Sequence, residues 1–204
     1  VTELGTSVTP EGVERLVGFV ELVSTYNAKI DLTAARSDDE LVDLMVADAL
    51  VLAAHLPERA RVVDVGSGAG APGLPLALIR PDLDVTLVEP LHKRVAFLRT
   101  AIGALLASST TRPRVERARG EDMHARGARF DCAISRATLA PKAWLSLGAR
   151  LAQHEVWVLL ARDEPPELTA WTAATDLRYR WPLTAAERRV VRFVPTASTA
   201  PSAG

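Results

Sequence analysis

Apolar positions along the chain change their spacing near residue 60. Before it, Val13, Leu16, Val17 and Val20 recur at helical intervals. They follow Thr9-Pro10-Glu11, which supplies a hydroxyl cap, a first-turn proline and an acid at the positive end of the dipole. Ser37 and Glu40 have capping-box spacing and predict a second helix from about Asp38 to Ala54. Leu41, Val42, Leu44, Met45, Val46, Leu50, Val51 and Leu52 make that helix apolar on most sides, the pattern of a buried helix. Beyond residue 60 short apolar runs alternate with helical ones. Strands are predicted at Arg61–Val65, Asp84–Glu89, Arg114–Ala118, Phe130–Ser135, Glu155–Leu160 and Arg188–Val194. Helices are predicted from the segment before Pro81, at Lys93–Ala107, Lys142–Leu151 and Glu167–Thr175. This alternation predicts an α/β fold, a mostly parallel, doubly wound sheet covered on both faces. The direction of the last strand stays open. The expected division is an N-terminal helical extension over 1–56, an α/β core over 57–194 and a disordered tail over 195–204, rich in Ala, Ser, Thr and Pro.

The chemistry concentrates in Asp64-Val65-Gly66-Ser67-Gly68-Ala69-Gly70-Ala71-Pro72-Gly73. Glycines after a strand allow a sharp turn and let a ligand approach bare backbone. The helix that follows aims its free N–H groups at the bound molecule. Two ligands compete. Gly68, Gly70 and Gly73 satisfy the dinucleotide spacing, and Glu89 ends the next strand where a ribose-binding acid belongs. Against a dinucleotide, Asp64 precedes the first glycine by two residues, and Pro72 and Pro75 remove N–H donors that a pyrophosphate would use. S-adenosylmethionine carries no phosphate and loses less by their absence. A side chain at Gly66 is expected to block the ligand's approach.

Composition adds limits. With 204 residues, 48% hydrophobic, the chain is sized for one domain. No apolar run is long enough for a membrane span, and no secretory leader pattern opens the sequence. The single cysteine, Cys132, excludes an internal disulfide, fits a reducing cytoplasm and sits in an apolar strand as core. His55, His92, His124 and His154 are scattered without metal spacing. Net charge is −1, but residues 1–60 hold 4 Lys/Arg against 11 Asp/Glu and the remainder holds 20 against 14. That asymmetry is consistent with a basic face on the later part of the chain. Arg112, Arg114, Arg117 and Arg119 read equally as a phosphate-binding run or a solvated strand edge. Spacing suggests core packing for Trp144, Trp157 and Trp171, with Trp181 beside Pro182 the exception.

The sequence resembles the RsmG/GidB family, which methylates the N7 of a guanine in small-subunit (16S) ribosomal RNA. The matching blocks are Tyr26–Thr33, the glycine loop through Leu76, Lys93–Arg99 and Ile134-Ser135-Arg136-Ala137. The resemblance implies a class I, Rossmann-like methyltransferase fold with S-adenosylmethionine as cofactor. It implies cofactor contacts at Gly66, Gly68 and Ala71, at Gly120 and Glu121 after the third strand, and at Arg136 after the fourth, with Glu89 on the ribose. Two of these have alternatives: Glu121 as a helix cap and Arg136 as a surface ion pair. Lys93 and Arg94 are the RNA-binding candidates. The implied partner is small-subunit ribosomal RNA, free or in the 30S particle, and the expectation is a cytoplasmic monomer without metal or membrane. The chain departs from the family where an Arg-His pair and an Asp-Ser pair become Leu44-Met45 and Asp48-Ala49, and where a Lys-Gly pair falls near Leu160-Ala161. The cofactor half is kept and the substrate half differs. Three readings therefore stand: an rRNA methyltransferase, a nicotinamide-dependent oxidoreductase, and a cofactor-binding module that has lost catalysis. A methyltransferase for guanine N7 needs no nucleophile–base set, because N7 already carries a free lone pair, and none is evident here.

Overall fold

Seven strands form one sheet: β1 (Arg61–Val65), β2 (Asp84–Val88), β3 (Arg114–Glu116), β4 (Phe130–Ser135), β5 (Ala152–Leu160), β6 (Trp171–Arg180) and β7 (Glu187–Pro195). The computed structural model describes residues 4–196. The strand order is β3-β2-β1-β4-β5-β7-β6. The first five strands run parallel, and β7 pairs antiparallel with both β5 and β6. The order reverses between β1 and β4, and in an open parallel sheet the crevice beyond the strand ends at that point is where ligands bind.

Each face of the sheet packs a separate apolar layer, as near-continuous β1, β2 and β4 runs require. Val62, Val85, Leu87, Ile134 and Trp157 face a layer built with α1 (Pro10–Ile30), α3 (Asp48–Ala53), α4 (Gly73–Ile79) and α5 (His92–Leu105). Val63, Val65, Val88, Ala133 and Val156 face α6 (Gly120–Ala125) and α7 (Pro141–Leu151). Phe19 and Val23 of α1 are fully buried in the first layer, where Tyr26 packs on Phe97 at 5.4 Å between ring centroids. Thr9 caps α1 by accepting from the Gly12 N–H at 3.1 Å.

The segment Glu167–Thr175, expected as a helix, is instead the approach to β6 and its first half. From Thr175 to Trp181 half-buried or buried residues alternate with exposed Asp176, Arg178 and Arg180, a strand period of two. The helical window stopped short of that alternation. Trp181, expected to lie outside the core, is 3% exposed, whereas Trp171 is only half-buried. Disorder expected from Pro195 is corrected at its start: Pro195 closes β7, and Thr196 donates its N–H to the Ala170 carbonyl at 2.8 Å. Residues 197–204 lie outside the described residues.

The second predicted helix is continuous but widens in the middle. It comprises α2 (Asp38–Val42), a π-helical turn over Asp43–Ala47, and α3. Half of the expected capping box forms: the Ser37 hydroxyl accepts from Glu40 N–H at 3.2 Å, but the Glu40 carboxylate accepts from Arg36 N–H, one residue before the cap, at 2.8 Å. The π turn brings two buried carboxylates to the β6–β7 hairpin. Asp43 accepts from the N–H of Leu183 and from the N–H and hydroxyl of Thr184. Asp48 accepts from the Tyr179 hydroxyl at 2.7 Å, the Trp181 indole at 2.9 Å and Arg136 at 3.3 Å. Asp48→Ala would strand three donors in a nearly dry site and is expected to cost about 3 kcal/mol. Tyr179→Phe removes one donor and should cost about 1 kcal/mol. Urea unfolding of both variants checks the ranking, and equal losses would contradict it.

Candidate functional site

The glycine loop leaves β1 at the switch point and is fastened to β2 by its backbone. Gly66 and Ser67 both donate to the Val88 carbonyl, at 2.8 and 3.1 Å. The Glu89 carboxylate completes the attachment: one oxygen accepts from Gly68 N–H at 2.9 Å and the other from Leu91 N–H at 2.8 Å. Glu89 is only 2% exposed, so these charge-assisted bonds form in a largely dry setting. Gly66 (φ 74°) and Gly68 (φ 56°) hold left-handed backbone that glycine adopts freely.

The start of α4 has little left to offer a phosphate. Gly73 donates its N–H to Asp64 Oδ2 at 3.1 Å, and Leu74 donates to the Gly70 carbonyl at 2.7 Å. Pro72 and Pro75 have no N–H, and Leu76 donates to Pro72. Most of the helix-start donors that a dinucleotide's pyrophosphate would use are therefore absent or already engaged. What remains beside the loop is a cavity of about 540 Å³, large enough for a nucleoside-sized ligand. Gly66, Gly68, Ala71, Glu89, Arg94 and Arg136 line it, together with Leu32, Thr33, Leu44 and Met45. An acid at a strand end beside bare peptide groups, without a phosphate cradle, fits S-adenosylmethionine.

The expected residues divide into those the cavity gathers and those it does not. Gly66, Gly68, Ala71, Glu89 and Arg136 are together on its wall. Gly120 and Glu121 open α6 outside that wall. A Cβ on Gly120 would lie 2.8 Å from both Leu147 and Val65, so this glycine is required by packing. Glu121 is exposed and is not the helix cap; Asp122 caps α6 by accepting from Arg119 N–H at 3.0 Å. Arg136 is not a surface ion pair: it is partly buried, reaching Asp48 and the Leu44 carbonyl inside the π turn. Of the RNA candidates, Arg94 is half-buried on the cavity wall and Lys93 is exposed on α5. Arg112, Arg114, Arg117 and Arg119 are exposed at or near the edge strand β3, where Arg114 pairs with Asp84 at 2.8 Å. Among the described residues, no group of three His, Cys, Asp or Glu is placed to hold a metal. Among the same residues, no helix is long and apolar enough to cross a membrane. Cys132 is buried against Glu155, and both burial and that acid push its thiol up, away from reactivity.

Some wall residues had no role in the sequence reading. Leu32 and Thr33 reach the cavity because Asn27 Oδ1 accepts both of their N–H groups at 2.8 Å, folding the end of α1 inward. Asn27 lay within the matching Tyr26–Thr33 block, so the signal was present without its geometry. Thr138 also lines the cavity, and it changes the reason for Gly66. A Cβ there would lie 2.1 Å from Thr138 Oγ1, so a substitution drives the β1 and β4 loops apart as well as crowding a ligand.

Asp64 lies fully buried beneath the loop. Its Oδ2 is engaged by Gly73, while Oδ1 has no partner. Burial pushes its carboxyl up to about 7, opposed by the Gly73 hydrogen bond, by the neighbouring Ser67 hydroxyl (which donates to the Asp64 main-chain carbonyl) and by Arg136, and assisted by Glu89. Between about pH 4 and pH 7 the folded chain keeps a proton on Asp64 that the unfolded chain releases. Stability from this group therefore falls as pH rises through that window, by about 4 kcal/mol at most. Urea midpoints at pH 4.5 and 7.5 are expected to fall further in the wild type than in Asp64→Asn. Identical slopes would contradict the protonated assignment.

Comparison with known proteins settles the family. The model for "rRNA small subunit methyltransferase G" matches residues 12–175. A protein of that name from Anaeromyxobacter is 32% identical over 93% of this chain and 92% of its own length. Another, from Methylobacillus flagellatus, is 33% identical over 82% of this chain and 80% of its own. The chain belongs to the ribosomal RNA small subunit methyltransferase G family. Among solved structures, the magnesium protoporphyrin IX methyltransferase of Synechocystis with bound S-adenosylmethionine covers 94% of the chain with a TM-score of 0.61 at 14% identity. TrmN of Thermus thermophilus covers 76% of the chain, matching 48% of its own, at 0.53 and 20% identity. These likenesses show a shared class I methyltransferase fold. Family membership and the occupied start of α4 together leave the oxidoreductase reading without support.

Proposed function

We propose that this chain transfers the methyl group of S-adenosylmethionine to N7 of a guanine in small-subunit ribosomal RNA. S-adenosylmethionine-dependent methylation of ribosomal RNA follows from membership in the family. The observation that carries the residue assignment is the Glu89 carboxylate at the end of β2, tied to Gly68 and Leu91 and lining the cavity. Each oxygen accepts one backbone N–H and keeps capacity for a sugar hydroxyl. Gly66, Gly68 and Ala71 shape the wall under the cofactor, and Arg136 closes it from the β4 side. Gly120 and Glu121 belong to the assignment as the adenine end beyond β3. When bound, S-adenosylmethionine supplies an electrophilic methyl on a sulfonium. The chain's own task is then alignment and exclusion of water, because guanine N7 needs no base to expose its lone pair.

The test is tritiated-methyl transfer to small ribosomal subunits and free rRNA from cells lacking the modification. Labelled RNA should break at one guanine after borohydride reduction and aniline treatment, the reactivity of a 7-methylguanine. Label at another base would overturn the N7 assignment. Binding of S-adenosylmethionine with no transfer to any ribosomal substrate would leave a cofactor-binding module instead.

A further inference from the structure

Beside the cofactor cavity lies a second cavity of about 240 Å³. Leu44, Arg136 and Ala137 line both, so the two share a wall. Ser135 at the end of β4 and Val158–Leu160 at the end of β5 form its floor, placing it on the ligand-binding edge of the sheet. Ala137 in the shared wall holds φ 54°, a strained conformation for a residue with a Cβ. Trp144 and Pro141 of α7 give the cavity an apolar side, while Tyr179 and Arg188 of the hairpin give it a polar one.

That second cavity continues outward. Ala161, Asp163, Tyr179 and Arg188 also border a hollow of about 430 Å³ whose rim carries Arg162, Arg178, Arg180 and Arg189. Glu164 and Glu187 share the rim. Arg180 is neutralised by Glu187 at 3.0 Å, and Arg189 by Asp176 at 2.6 Å and Glu164 at 3.0 Å. Arg162 and Arg178 are exposed and make no ion pair among the described residues. Arg188 is held in place over the Trp181 ring, 3.6 Å from its centroid. A path therefore runs from unpaired surface arginines, past a fixed guanidinium, to the wall of the cofactor cavity.

We infer that the RNA reaches the cofactor across the β6–β7 hairpin, its phosphates on Arg162 and Arg178 and its target base lodged in the cavity between Arg136 and Tyr179. This rests on the function proposed above. Phosphate recognition by unpaired arginines positions a strand without reading sequence. The apolar side formed by Trp144 and Pro141 suits the face of an unstacked base. A guanine edge presents acceptors at O6 and N7 and donors at N1 and N2. Arg136 or Arg188 can donate to O6, and Asp163 can accept from N1 and N2, which leaves the N7 lone pair free for the methyl group. The approach lies on the hairpin side of the cofactor cavity, away from Lys93 on α5.

The test pairs a surface variant with a plug. Arg162→Ala/Arg178→Ala leaves the folded core untouched, and Ala161→Phe fills the outer passage at an exposed position. Both should raise KM for unmodified small ribosomal subunits about tenfold while calorimetry shows S-adenosylmethionine binding within twofold of wild type. In the double variant, the slope of log affinity for the rRNA against log salt should fall by about 1.4, two phosphate contacts at roughly 0.7 each. Unchanged KM and salt slope overturn the docking path while leaving the rRNA activity in place. A larger KM increase in Lys93→Ala than in the double variant also overturns it. A wild-type protein that methylates no ribosomal RNA removes the functional reading, and the docking path with it.

Discussion

The site depends on one carboxylate placed where two chain segments must meet. Glu89 terminates β2 and accepts from backbone on both sides, Gly68 in the loop after β1 and Leu91 at the start of α5. Without it, two N–H groups beside the cavity would lose their partner, and the loop would be tied to the β2 end only through its backbone bonds to Val88. Charge-assisted bonds in a nearly dry setting are strong enough to fix a glycine-rich loop that has little stiffness of its own. Glu89 therefore acts on the fold before it meets any ligand, and the open wall beside Gly68 follows from that attachment.

A second pair of acids plays the corresponding part on the far side of the site. Asp43 opens the π turn and Asp48 follows it, and together they hold the β6–β7 hairpin against the sheet end. Asp48 also reaches Arg136, so the hairpin, the buried helix and the β4 loop are coupled through one carboxylate. Leu44, between them, lines both cavities and accepts the Arg136 guanidinium on its carbonyl. The apolar pair Leu44-Met45 therefore still builds the wall, through backbone and packing, where the family carries charged side chains. Of the polar residues that distinguish the family at this helix, the retained Asp48 is the one the hairpin depends on.

Much of the fold was legible because its signals are local. A hydroxyl N-cap at Ser37, apolar runs flanked by turn residues and a glycine-rich turn after β1 each follow from short-range chemistry, and the structure contains them. The helix expected at Glu167–Thr175 failed because the window ended before the alternation of Thr175, Leu177 and Tyr179 became visible. Trp181 was misjudged because its partner, Asp48, is 133 residues away in sequence. The cavity wall was half legible: the loop, Glu89 and Arg136 carry chemistry in their residue types, whereas Leu32, Thr33 and Leu44 are ordinary until the chain folds. The hairpin arginines carried no local signal, since pairing with Asp176, Glu164 and Glu187 decides which of them stay free. The unpartnered oxygen of Asp64 likewise has no trace in the sequence.

The central claim is that Glu89 creates the cofactor site. Calorimetric titration of S-adenosylmethionine into wild type and Glu89→Ala, with both shown folded by circular dichroism, tests it directly. The account predicts saturable one-to-one binding by the wild type and a loss of about a hundredfold or more in the variant, from the lost sugar contacts and the loosened loop together. Equal affinity in a folded Glu89→Ala protein would contradict it.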